Sequence, residues 1–168
     1  MANIMIAIVL LISVVTDVRQ RKILNVITLP AILLGFLFHG VTSGFDGLLM
    51  SGLGFLVGLG LLIIPFIKGG IGAGDVKLLA AVGVWKGAVF VLYTTLFGAA
   101  IGGIISLFIL LKNRRLRSTI QHTLSSFLVF NQNKDIQKLG QSHKSLYVPY
   151  AIPIAIGAIL AFVMEAYM

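Results

Sequence analysis

Apolar runs about as long as a helix that crosses hydrocarbon recur along this chain, separated by short segments that collect nearly all of its positive charge. A helix needs about 20 residues to span ~30 Å. The runs near 1–17, 23–43, 47–67, 74–86, 88–111 and 147–167 therefore predict an all-α, polytopic membrane protein built as a bundle of six transmembrane helices. Hydrophobic residues make up 58% of the chain and charged ones 11%, against about a quarter charged in soluble domains. The 168 residues allow one membrane-embedded domain, 1–168, with a cytoplasmic loop at about 112–145. There is no Cys, which excludes disulfides, thiolate nucleophiles and Cys-based zinc sites together.

Charge placement predicts the topology. The first run, Ala2 to Val15, is followed rather than preceded by Arg19, Arg21 and Lys22 and shows no small-residue cleavage site, so it is expected to remain as a helix with the N-terminus outside. The fourth run is short, about 18 Å of helix between Asp75 and Lys86. If it crosses, all of the 13 Lys and Arg except Lys86 lie inside; if it does not, every one from Lys112 to Lys144 moves out, against the positive-inside tendency. The net charge of +8 thus reads as membrane topology and not as a nucleic-acid footprint. Within the long connection, Leu116, Ile120, Leu124, Phe127 and Leu128 recur at helical spacing beside Arg114, Arg115 and Arg117, which predicts an amphipathic helix on the inner leaflet held by anionic lipid.

Against this background two acidic residues stand out, because an ionisable group at membrane depth costs about 2.5–3.5 kcal/mol on insertion scales. Asp17 ends an outside-to-inside helix and Asp75 begins an inside-to-outside one, so both carboxylates are expected at the cytoplasmic edge. Two acids held close share a proton, which suits hydrolysis of a peptide bond: one carboxylate activates water while the other polarises the carbonyl. Glycines 69, 70, 72 and 74 leave the approach to Asp75 bare, and Gly72 and Gly74 are expected to admit an extended substrate backbone. Lys77 occupies the third glycine position of a dinucleotide fingerprint, and no Gly-Lys-Ser/Thr is present, so neither phosphate-binding motif is met. Asn25 is expected to cap the second helix or line the substrate site.

The remaining polar and small residues have bland readings. Lys77 is expected to snorkel to headgroups, and His39, His122 and His143 lack companions at metal-ligand spacing, which leaves them solvated or capping, with no metal. Gly54 with Gly58, Gly98 with Gly102, and Ala151 with Ala155 form small-xxx-small pairs for close helix approach. Pro65, Pro149 and Pro153 are expected to kink or end helices, and Trp85, Tyr93, Tyr147 and Tyr150 to anchor at the interfaces.

Gly72-Ala73-Gly74-Asp75-Val76-Lys77-Leu78, together with Asp17 ahead of a basic stretch and Ile23-Leu24-Asn25, resembles the type IV prepilin peptidase family of membrane aspartyl proteases. The chain is most similar to the small, single-domain members associated with Tad/Flp-type pilus systems, and Leu24 stands where relatives often carry proline. The resemblance implies an enzyme of the bacterial cytoplasmic membrane that cleaves the basic leader from prepilin or pseudopilin precursors at the cytoplasmic face. Asp17 and Asp75 match its catalytic pair, and no cofactor is implied. The four-cysteine zinc module of larger, bifunctional relatives cannot exist here, and methyltransferase activity is not expected. A strongly basic inner face should repel a basic leader, so the aspartates and Asp135 are expected to attract it locally. Two rivals compete: a presenilin-like GxGD protease cutting within helices, and a non-catalytic proton- or cation-coupled transporter or pilus-assembly factor.

Overall fold

The computed structural model describes residues 1–20, 22–112 and 150–167. The expected amphipathic segment, Asp135, His122, His143, Tyr147, Pro149 and Arg21 lie outside the described residues. Met1–Gly102 and Pro149–Met168 pack as one compact unit, and Gly103–Val148 forms another, of which the described part, 103–112, is helical. The described residues form four helices and no strand: α1 (Ala2–Gln20), α2 (Asn25–Ile67), α3 (Ala73–Lys112) and α4 (Ala151–Tyr167). Three are long and apolar enough to cross a membrane: α1, α2 and α3 from Ala73 to Phe108; α4 is a shorter apolar helix.

Four helices thus stand where the sequence predicts six, because α2 and α3 each run on through a predicted boundary. Both boundaries are nevertheless marked in the backbone. α2 leaves helical geometry at Gly44 (φ 60°, ψ −135°) and α3 at Gly87 (φ 83°, ψ 177°), conformations that a residue without Cβ adopts at little cost. Their consequence shows in the packing. In a straight helix His39 and Gly47 would be about 12 Å apart, yet a Cβ on Gly47 would meet the His39 carbonyl oxygen, and one on Gly40 would lie 3.2 Å from Leu48. The chain doubles back there. Both limbs of α2 accordingly face the first limb of α3: Gly35 lies against Val84 and Trp85, and Gly58 against Leu79 and Ala80.

Close approach follows from small residues at helical spacing. The second limb of α2 buries Gly47, Ser51, Gly54 and Gly58, a stripe with almost no side chain, so that the Gly54 and Gly83 backbones touch. The other limb of α3 seats α4 in the same way. Gly157 packs on Thr94 and Gly98, and Gly98 and Gly102 pack on Pro153. Pro65 lies near the end of α2, where its carbonyl accepts from the Gly70 N–H at 2.9 Å.

Trp85 corrects an expectation. Instead of anchoring at an interface it is buried, with its indole N–H donating to the Ala31 carbonyl at 2.8 Å. Gly35 makes the room, since a Cβ there would stand 2.9 Å from the indole nitrogen. His39 takes the capping alternative: its Nε2 is 3.2 Å from the Trp85 carbonyl oxygen, one of the acceptors released where α3 bends at Gly87. A carbonyl only accepts, so Nε2 carries the proton in this contact.

Lys86 and Glu165 pair across α3 and α4, with the ammonium 5.0 Å and 5.1 Å from the centroids of Phe90 and Phe162. The lysine side chain is 11% exposed and the glutamate 52%, so screening limits the pair to about 1 kcal/mol. Glu165→Gln is expected to lower the thermal midpoint of the detergent-solubilised protein by a few degrees. A midpoint unchanged within error would show that the aromatic rings alone hold the ammonium.

Candidate active site

The site is assembled from one helix end and two helix beginnings. On α1, Ile6, Val9, Leu10, Ser13 and Asp17 are buried, positions three and four apart that make one inward stripe. Asp17 is the last member of this stripe, which is why a carboxylate near the end of an apolar helix points into the protein and is 1% exposed. Its Oδ2 accepts a hydrogen bond from the backbone N–H of Ala151 at 3.2 Å.

Asp75 is the third residue of α3. Its backbone N–H donates to the Gly72 carbonyl at 3.2 Å, and its Oδ2 accepts from the Gly72 N–H at 3.2 Å. This is the return half of a capping box, in which a carboxylate at the third helical position satisfies the N-cap amide. Asp75 is 7% exposed. Among the described residues, Asp17 and Asp75 are the only acidic side chains that are buried. They interact electrostatically with each other, although they lie 58 positions apart in the chain.

The glycines beside Asp75 have packing reasons of their own. A Cβ on Gly74 would lie 2.8 Å from that of Ile23, so its absence brings the start of α3 against the connection between α1 and α2. A Cβ on Gly72 would lie 3.1 Å from Asp75 Oδ2, and its absence lets that carboxylate fold back over the turn. Asn25 does not cap α2. Leu24 occupies the N-cap position, without any side-chain cap, and Asn25 Oδ1 accepts from Lys77 Nζ at 2.9 Å. Lys77 is thus drawn to a protein acceptor rather than to headgroups, because α2 and α3 begin side by side. The pair ties the two helix starts together next to Asp75.

The contact missed by sequence reasoning is the one to Ala151. Its signal is present in part, since Pro153 is marked as a helix-end residue, but nothing local says which side chain receives the amides of that end. Among the described residues no three His, Cys, Asp or Glu side chains converge in a way that could hold a metal ion.

The family model described as the type IV leader peptidase family matches residues 4–107, a stretch that contains Asp17, Asn25, Gly72, Gly74 and Asp75. No curated protein and no solved structure matches the chain.

Proposed function

Because this chain belongs to the type IV leader peptidase family, we propose that it is an aspartic-type endopeptidase that removes the basic leader of prepilin or pseudopilin precursors, with Asp17 and Asp75 as its catalytic pair. The observation that carries this reading is the burial of two interacting carboxylates, from separate helices, beside a glycine-rich turn. Two carboxyl groups brought together divide the work of one reaction, one as base and one as acid. The ionised member takes a proton from water as the oxygen attacks the scissile carbonyl. The protonated member hydrogen-bonds the carbonyl oxygen and transfers its proton as the tetrahedral species forms. Collapse of that species returns a proton to the departing amine.

In this reading the chain crosses a bacterial cytoplasmic membrane six times. α2 is about 65 Å long if straight and α3 about 60 Å, each twice the hydrocarbon thickness. The glycine breaks near their middles and the doubled-back contacts of α2 support a turn at each. With the N-terminus outside, the starts of α2 and α3 and the end of α1 lie at the cytoplasmic face. There a precursor's polar leader meets its apolar helix, which places the scissile bond at the depth of the two acids. The exposed backbone at Gly72 suits passage of an extended substrate chain, with Gly74 holding the start of α3 against Ile23 and Asn25 nearby.

The absence of native Cys makes the topology directly testable. Ser43→Cys is expected to react with a membrane-impermeant maleimide in intact cells, and Gly70→Cys only after lysis; the reverse pattern would overturn the orientation. For the activity, co-expression with a candidate precursor is expected to shorten it by its leader, as read by mass spectrometry. Intact precursor throughout a panel of such substrates, with ion-coupled flux in proteoliposomes, would favour the transporter reading instead.

A further inference from the structure

From the contact between Asp17 and the start of α4, we infer that the backbone N–H of Ala151 is a positioning group for the reaction, and that α4 serves to hold it. This rests on the assignment of Asp17 to the catalytic pair. It extends the site beyond residues 4–107, the part matched to the peptidase family.

The chemistry of the helix end explains why the contact forms. The Ile154 N–H donates to the Tyr150 carbonyl at 3.2 Å, so Tyr150 is the N-cap and Ala151 the first helical residue. The first amides of a helix have no partner within it. Proline at position 153 has no N–H to leave, so within the first turn of α4 the donors without an intrahelical acceptor are those of Ala151 and Ile152, beside the N-cap amide of Tyr150. Asp17 Oδ2 takes the first of them at 3.2 Å. Ala151 is fully buried and Asp17 nearly so, which shields the bond from water. The positive end of the α4 dipole also favours negative charge at this point. With Oδ2 held by Ala151, the orientation of the Asp17 carboxylate is set relative to Asp75.

The amide is itself held along the length of α4. Pro153 packs on Gly98 and Gly102, Gly157 on Thr94 and Gly98, and Phe162 on Phe90 with ring centroids 4.7 Å apart. Glu165 closes the far end on Lys86. A donor fixed by backbone and braced over four turns has little freedom to follow a rotating carboxylate, as preorganisation requires. Family signatures built on side chains would not contain this group, because any non-proline residue supplies it.

Two changes remove the N–H. Ala151→Pro suits a first helical position, where proline is tolerated, and Ala151→Val is its control, similar in bulk with the N–H retained. Replacing Ala151 by its α-hydroxy acid, through nonsense suppression, exchanges N–H for O with no change of side chain and covers the case in which proline misfolds. With a peptide spanning a cleavage junction as substrate, the proline and ester variants are expected to lose roughly tenfold or more in kcat, with KM within about twofold. The valine variant should keep kcat within about threefold of wild type. Equal losses in the proline, ester and valine variants, or a loss confined to KM, would overturn the inference. So would an ester variant with unchanged kcat while Asp17→Asn is inactive, and that result would leave the peptidase reading intact. Full activity in Asp17→Asn would overturn both.

Discussion

Asp17→Asn and Asp75→Asn are each expected to abolish precursor cleavage, by roughly a thousandfold or more, while the protein accumulates and unfolds as the wild type does. Asparagine is the informative replacement because of what the two carboxylates accept. Asp17 Oδ2 receives the Ala151 N–H, and Asp75 Oδ2 receives the Gly72 N–H. An amide oxygen accepts both bonds, so the end of α1, the start of α4 and the turn before α3 keep their partners. What is lost is the ability to ionise and to carry a transferable proton, which neutral amides of the same shape lack. The two losses are not additive. Once one member is gone the other has no reaction to complete, so the double variant falls no further than either single one. Cleavage above about a tenth of the wild-type rate in either variant would reject the pair as the catalytic device. Wild-type thermal midpoints in both variants would separate loss of chemistry from loss of fold.

Legibility in the sequence follows the range of the interaction. The break positions are readable because polar or charged residues and glycine interrupt the apolar runs there, and Gly44 and Gly87 carry the positive φ of the two breaks. α2 and α3 nevertheless continue past both, since one residue out of helical geometry does not by itself end a helix. The aspartates are readable because their insertion cost is local: an acid at the end of an apolar run stands out without any knowledge of its neighbours. Residues whose roles depend on a distant surface are misread. Trp85 has an interfacial composition, amphipathic and next to a lysine, and only the bare face of Gly35 turns it into a core residue. Lys77 reads as a headgroup residue because its acceptor, Asn25, is 52 positions away. The bond from Ala151 to Asp17 spans 134 positions, and main-chain donors carry no residue code at all.

Gly54→Leu is expected to have the largest effect on stability. A Cβ at residue 54 would fall on the Gly83 carbonyl and 3.0 Å from the Gly87 Cα, so the obstruction is backbone on both sides and no rotamer can relieve it. Overpacking against side chains costs about 1–3 kcal/mol. Here α2 and α3 must separate instead, which exceeds that range and forfeits the dispersion contacts that drive helix association in lipid. The controls lie on the same helix limb. A Cβ added at Gly52 or Gly60 would meet nothing within 4 Å, so Gly52→Leu and Gly60→Leu should leave the thermal midpoint of the solubilised protein within a few degrees. Gly54→Leu should lower it by far more or prevent accumulation. The functional consequence follows from the same contact, since the first limb of α3 is what carries Asp75 to Asp17. At a temperature where Gly54→Ala still folds, it is expected to lose cleavage ahead of helicity, because α3 shifts before it melts. Equal midpoints for the Gly54→Leu and Gly60→Leu proteins would show that the two backbones are not held together by that contact.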